Sequence, residues 1–261
     1  MTPFFDLLST ARVFDLAQPY FPGMPHNPSH PPFLFGLTKQ HGEYVGPQGN
    51  SSASESIAMG SHLGTHIDAL CHFSSHGRLH GGEDVTPLQS QTAGFARFSV
   101  DTIAPILRRG VLLDIAGLQG AILPENFEIA PQHLEAAAGA QGVEIHPGDV
   151  ALLRTGWAAF WDDPARFIRQ LRGPGPAIAG ARWLSDRGVF AAGSDTVAFE
   201  KIPDASMPVH VHLLVEKGIH IVECLNLEEL ARERIYEFLF IAAPLKIRGA
   251  TASPIRPLAL A

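Results

Sequence analysis

The chain is 261 residues long, 46% hydrophobic and 17% charged, with a formal net charge of -7. This is the composition of a globular protein with a sizeable core, and an acidic balance without a basic run gives no support for nucleic-acid binding. Two widely spaced cysteines build no disulfide framework, and no apolar run approaches the ~20 residues that a bilayer span needs.

Met1 to Asp6 carries an early acid and no positive region before its apolar residues, so it does not read as a secretion signal, and the expected location is the cytoplasm. Residues 18–34 are rich in proline but also hold Tyr20, Phe21, Met24 and Phe33, which predicts an ordered loop rather than a linker. A polar segment, Gln48 to Ser56, then leads into His62-Leu-Gly-Thr-His66-Ile-Asp68-Ala-Leu-Cys-His72-Phe73. Neutral imidazole and carboxylate are standard ligands for zinc and its divalent neighbours. On extended chain His66 and Asp68 share a face, and a helix starting after Asp68 would bring His72 back towards it. Cys71 and Cys224 cannot build a cysteine-rich structural zinc site, so the mixed set points to a catalytic ion with an open coordination position.

Val111 to Ile115 reads as a buried strand, Pro131 to Gln141 as a helix with proline in its first turn, and Val150 to Arg154 as another strand after the turn His146-Pro-Gly-Asp149. Gly173-Pro-Gly-Pro176 breaks the chain before a helix over Ala177 to Asp186 and a strand over Gly188 to Gly193. Leu213 to Lys217 suits a helix ending at Gly218, Ile219 to Glu223 a strand, and Phe238 to Pro244 the last apolar strand. Helices alternating with short apolar strands predict an α/β fold with a mixed sheet, and no domain boundary interrupts residues 1–261.

A second group of ligand types lies downstream, in Pro208-Val-His210-Val-His212 and Ile221-Val-Glu223-Cys-Leu-Asn226. Glu223 sits in an apolar setting, where a carboxylate is costly unless paired or bound to metal. His210 and His212 are two apart and would share a face on extended chain, so either one is a candidate ligand or pocket residue.

The upstream stretch resembles the H-x-G-T-H-x-D-x-P-x-H-F signature of the cyclase family of metal-dependent hydrolases, with Leu70 in place of the usual proline. The downstream stretch is similar to that family's His and Glu motif, with His210 favoured as the ligand. The resemblance implies a single-domain swivelling β/β/α fold, a homodimer or higher homo-oligomer, and a small-molecule substrate. It also implies two ways of filling the site. In a formamidase-like site, His62, His66, Asp68, His72, His210 and Glu223 bind two zinc ions, bridged by Asp68. In an isatin-hydrolase-like site, one manganese is held mainly by His62, His66 and Asp68, and His72 is the catalytic acid/base. Glu223 is then a ligand or a catalytic carboxylate.

A divalent ion with an open position lowers the pKa of bound water from ~15.7 towards ~7, enough to attack an amide or lactone carbonyl. No G-x-S-x-G motif offers a covalent alternative. The expected reaction is opening of a small cyclic amide, isatin to isatinate being the specific case. The alternatives are arylformamidase action on N-formylkynurenine, lactone hydrolysis, and a metal- or ligand-binding protein without turnover. His80 and Asp195 are candidate substrate contacts beside His212, with solvation and helix capping as their structural alternatives. Trp157, Trp161 and the N-terminal aromatics are read as core before pocket wall.

Overall fold

The computed structural model describes residues 9–261, so the Met1 to Asp6 stretch lies outside the described residues. Its frame is a nine-stranded mixed sheet. Across the sheet the strands run Val13–Asp15, Leu258–Leu260, Glu237–Ala242, Ile106–Asp114, Val150–Arg154, Ala191–Ser194, His220–Glu223, His66–Asp68 and Ala252–Pro254. The strands from Ile106–Asp114 to His220–Glu223 are parallel neighbours, and every other pairing within this sheet is antiparallel. This is the α/β class with a mixed sheet that the sequence predicts.

The strand Val150–Arg154 shows why the apolar runs are unbroken: every residue in it is buried. Ala151 and Leu153 pack with Leu134, Leu184 and Leu214 on the helical face, while Val150 and Leu152 pack with Phe14 and Phe240 on the other. A parallel strand covered on both faces has no reason to alternate polar and apolar residues. The helices Pro131–Gln141 and Ile178–Asp186 supply much of the first cover, close to their predicted limits.

Boundaries differ where side chains intervene. The strand expected at Val111 to Ile115 begins at Ile106, and it ends at Asp114 because the Asp114 carboxylate accepts from the Gly117 amide and starts a short helix, Ile115–Gln119. The Gly188 to Gly193 strand is Ala191–Ser194. The helix after Asp68 is instead a tight turn, in which the His72 amide donates to the Ala69 carbonyl while the Cys71 amide is drawn to the Phe98 carbonyl. The helix predicted at Leu213 begins earlier, as Pro208–His210 running directly into a π-helical segment, Val211–Lys217. That shift decides which histidine reaches the site.

The proline-rich loop is ordered. The Trp161 indole donates to the Pro19 carbonyl, and Met24 and Phe33 join Trp157, Trp161 and Phe167 in a third buried cluster. The two tryptophans therefore pack the core, and neither lines the cavity beside His62, His72 and Glu223. A hairpin, Leu34–Lys39 with Ser54–Ala58, stands away from the sheet with Leu34, Phe35, Leu37 and Ile57 exposed. Among the described residues no helix is long and apolar enough to cross a membrane.

Candidate metal centre

The site is assembled around the short strand His66–Asp68, whose register sets His66 opposite Glu223 and Asp68 opposite Ile221. Side chains alternate along a strand, so His66 and Asp68 leave one face, and Glu223 leaves the same face directly across the ladder. Glu223 is the last residue of its parallel strand, beside the change from parallel to antiparallel pairing. Crevices at the carboxyl ends of parallel strands, next to such a change, are where open α/β sheets bind ligands.

His62 arrives on the loop before this strand. Gly64 there has φ +58, and a Cβ on it would fall 2.5 Å from the Tyr20 ring. The Tyr20 hydroxyl shares its proton between the Leu63 and Thr65 carbonyls at 2.7 and 3.0 Å, pinning the loop. Burial raises its pKa and keeps it a donor. His62 Nδ1 then lies 2.8 Å from Asp68 Oδ1, too misaligned to bond, while its Nε2 meets the Thr251 hydroxyl at 2.9 Å. The turn at 69–72 still delivers His72, whose ring centroid is 3.9 Å from that of His62.

On a helix, residues two apart point about 200° from each other, so His210 and His212 separate. His210 Nε2 faces the centre, 3.3 Å from Glu223 Oε1 and 3.9 Å from Asp68 Oδ2. His212 turns the other way, with Nε2 at 2.9 Å from the Ser185 hydroxyl and Nδ1 at 2.7 Å from Glu216. The shared face expected for the pair is thus overturned by the helix.

Glu200, absent from the sequence-based candidates, is almost fully buried, and its carboxylate accepts from the Val209 and His210 amides at 3.0 and 3.1 Å and from His210 Nδ1. It caps the helix start and keeps the His210 proton on Nδ1, which leaves the Nε2 lone pair for the centre. Its one cue in the sequence was an acid following the apolar run Val197-Ala-Phe199.

The remaining second partners fall into place similarly. His66 Nδ1 donates to the Gly64 carbonyl at 2.8 Å, which aims Nε2 inward at 3.5 Å from both Asp68 Oδ1 and Glu223 Oε2. Glu223 Oε1 accepts from the Phe199 amide at 2.7 Å. His66 Nε2 and both Asp68 oxygens are buried and have no hydrogen-bond partner. Orphaned polar atoms on one strand, facing the Glu223 carboxylate of its neighbour, fit a cation, because burial without a partner is otherwise expensive. Two sets bring ligand atoms within 4.8 Å of one another, His62/Asp68/His72 and His66/Asp68/Glu223, and they share Asp68. Nitrogen and oxygen donors suit zinc, manganese and similar divalent ions.

The protonation pattern of the metal-free protein agrees. Burial opposes charging His66, but Asp68, Glu223 and the Gly64 carbonyl outweigh it and lift its pKa to about 9. For His210, burial is outweighed by Glu200, Glu223 and Asp68, to about 10. Asp68 is held well below the usual carboxylate range: burial opposes its charge, and His72, His62 and His66 overcome that. His72 goes the other way, pushed to about 3 by burial and by the neighbouring imidazoles His62, His210 and His66.

The centre opens on a cavity of about 300 Å³. Phe73, Val197, Ala198 and Met207 give it an apolar wall, and Asn27, Ser29 and His30 give it a polar lip. Three sequence-based substrate candidates lie elsewhere. His212 is occupied as described. Asp195, fully buried, accepts from the Thr155 amide and hydroxyl at 2.9 and 2.6 Å and the Gly156 amide at 2.8 Å, so it clamps the turn after the Val150–Arg154 strand. Burial raises its pKa to about 6. His80 Nδ1 is bonded to the Val215 carbonyl at 2.9 Å.

Fold and site together define the class: an α/β protein with a cluster of His, Asp and Glu side chains that could hold a metal at the carboxyl edge of its parallel strands. Residues 14–201 match the Cyclase family model, and the chain belongs to that family of hydrolases. It is 28% identical to the kynurenine formamidase of Bacillus cereus over 250 residues, covering 95% of this chain and 97% of that protein. A crystal structure of a novel cyclase superposes with TM-score 0.88 at 31% identity, over 99% of this chain and 91% of that one. Isatin hydrolase A from Ralstonia solanacearum superposes with TM-score 0.77 at 26% identity, over 100% and 97%.

Proposed function

We propose that the chain is a metal-dependent amidohydrolase that opens a small neutral cyclic amide, isatin to isatinate being the specific case. The observation that carries this reading is the cavity lining, which beyond the metal centre consists of amide, hydroxyl, imidazole and apolar groups. A flat uncharged ring suits such a lining. N-formylkynurenine brings an amino-acid carboxylate and ammonium, and a carboxylate is usually met by the fork of an arginine or by a lysine.

A divalent cation at the centre would polarise the carbonyl and supply a water acidic enough to attack it near neutral pH. His66, Asp68, Glu223, His62 and His210 are the residues proposed to hold it, with Glu200 fixing the tautomer of His210. His72 is neutral at pH 7 and so open to a proton from the attacking water. The burial that depresses its basicity makes its protonated form a strong acid, which returns the proton to the leaving nitrogen. Water's oxygen ends on the carbonyl carbon, the C–N bond breaks, and the nitrogen gains the hydrogen.

A second reading has its own support. Because two ligand sets share Asp68, the site suits two bridged ions, which would enlist His72 as a ligand and favour arylformamidase action. Lactone hydrolysis uses the same apparatus. Zinc or manganese, a single domain over 1–261, a cytoplasmic location and a homodimer or higher homo-oligomer complete the proposal. Pairing of Val13–Asp15 with Leu258–Leu260 supports one domain, and the exposed apolar hairpin supports self-association.

The test is metal content per chain, by elemental analysis of protein purified without chelator, alongside turnover of isatin and N-formylkynurenine. About one ion with isatin opening is the expected result. Two ions, with N-formylkynurenine cleaved and isatin untouched, would establish the second reading. Bound metal with no turnover, even in a single-turnover assay, would leave a binding protein. No metal bound or taken up would overturn all of these.

A further inference from the structure

We propose that Asn27 and His30 recognise a second carbonyl oxygen on the substrate, so that the site prefers ring amides bearing two carbonyl groups. This rests on the cyclic-amide reading and concerns which ring amides are selected. The lip is built rather than loose. The Asn27 side-chain oxygen accepts from the Ser29 amide and hydroxyl at 3.0 and 2.9 Å, and the His30 amide donates to the Asn27 carbonyl at 2.9 Å. The His30 ring stacks on His62 with centroids 5.0 Å apart and planes 18° from parallel.

These contacts consume the Asn27 oxygen and the Ser29 hydrogen. What remains on these two lining residues is the Asn27 NH2 group and the ring nitrogens of His30, none with a hydrogen-bond partner among the described residues. An amide NH2 only donates, and a neutral imidazole offers one donor and one acceptor. The lip therefore presents mostly donors, fixed in place and hydrated in the free protein. A ligand edge carrying carbonyl oxygen replaces that water, whereas a hydrocarbon edge strands the donors. The reacting carbonyl belongs at the metal centre, so the oxygen met by the lip is a different one.

The experiment compares isatin with indolin-2-one, which lacks the second carbonyl, on zinc- or manganese-loaded wild type, His30→Phe and His30→Gln. Calorimetric binding to the chelator-treated forms of the same proteins gives a readout free of turnover, supported on the loaded forms by KM for isatin and the inhibition constant of indolin-2-one. Phenylalanine keeps the stacking on His62 and removes the ring nitrogens. The expected result is isatin binding weakened about ten-fold in His30→Phe, indolin-2-one binding unchanged, metal content unchanged, and isatin binding largely recovered in His30→Gln. Equal weakening of both ligands, no weakening of either, or loss of metal would overturn the proposal. Wild type that neither binds nor opens isatin would instead overturn the substrate reading on which the proposal rests.

Discussion

The upstream and downstream halves of the proposed metal centre use the same chemistry but reach it differently. His62, His66, Asp68 and His72 come from one eleven-residue stretch, and their meeting is set by a loop, a three-residue strand and a turn. Glu200, His210 and Glu223 come from a loop, a helix and a strand, and they meet only because the sheet brings their elements together. Local geometry can be written into a short motif. Long-range geometry is written into strand order and helix phase, which a motif does not carry.

Substitutions can break or sharpen this contrast. The largest effect is expected at Asp68, the residue common to both ligand sets: Asp68→Asn should lower kcat/KM on the order of a thousand-fold or more, with metal content falling in parallel. A fully active, metal-loaded variant would mean the halves do not meet at Asp68. Next comes the helix phase. His210→Ala should weaken metal binding by at least about a hundred-fold, whereas His212→Ala should leave metal binding intact and cost about 1 kcal/mol of stability through the lost Ser185 and Glu216 contacts. Metal titration and denaturant melts on the two variants separate these effects, and a reversed pattern would show that the helix phase is wrong.

Glu200→Gln should reduce metal affinity about ten- to a hundred-fold, because an amide holds the His210 tautomer less firmly than a carboxylate. An unchanged dissociation constant would reduce Glu200 to a helix cap. The smallest effect is on pH dependence. His66 and His210 have pKa values raised from about 6.5 to about 9 and about 10, so their stabilisation of the metal-free fold is complete below about pH 6.5 and is lost as pH rises through 9 to 10. The Tm of chelator-treated protein should fall across that range, and adding metal at pH 7 should release protons, measurable with a pH indicator dye. A flat Tm profile and no proton release would show that the two imidazoles are not charged in the metal-free centre.

The fold was legible in kind: Val150 to Arg154, Pro131 to Gln141 and Ala177 to Asp186 declared themselves by apolar runs and proline or glycine punctuation. What blurred the rest was side-chain chemistry at element ends, such as the Asp114 cap that stops one strand and the Glu200 cap that starts the helix of His210. The same limit hid Glu200 from the site, since it belongs to neither of the two ligand motifs. It also left Asp195 and His80 looking functional, although buried amides and a carbonyl occupy them.

By itself, then, the sequence determined the upstream ligand types and the shared face of His66 and Asp68, because a period of two is a property of the strand alone. It also determined that strands such as Val150 to Arg154 would be buried, because unbroken apolar runs have nowhere else to go. Only the tertiary structure decided between His210 and His212, placed Glu223 across from His66, and drew Asn27 and His30 to the mouth of the cavity. Each of those depends on helix phase, strand register or a loop pinned by distant residues, and none of the three is encoded within reach of a local pattern.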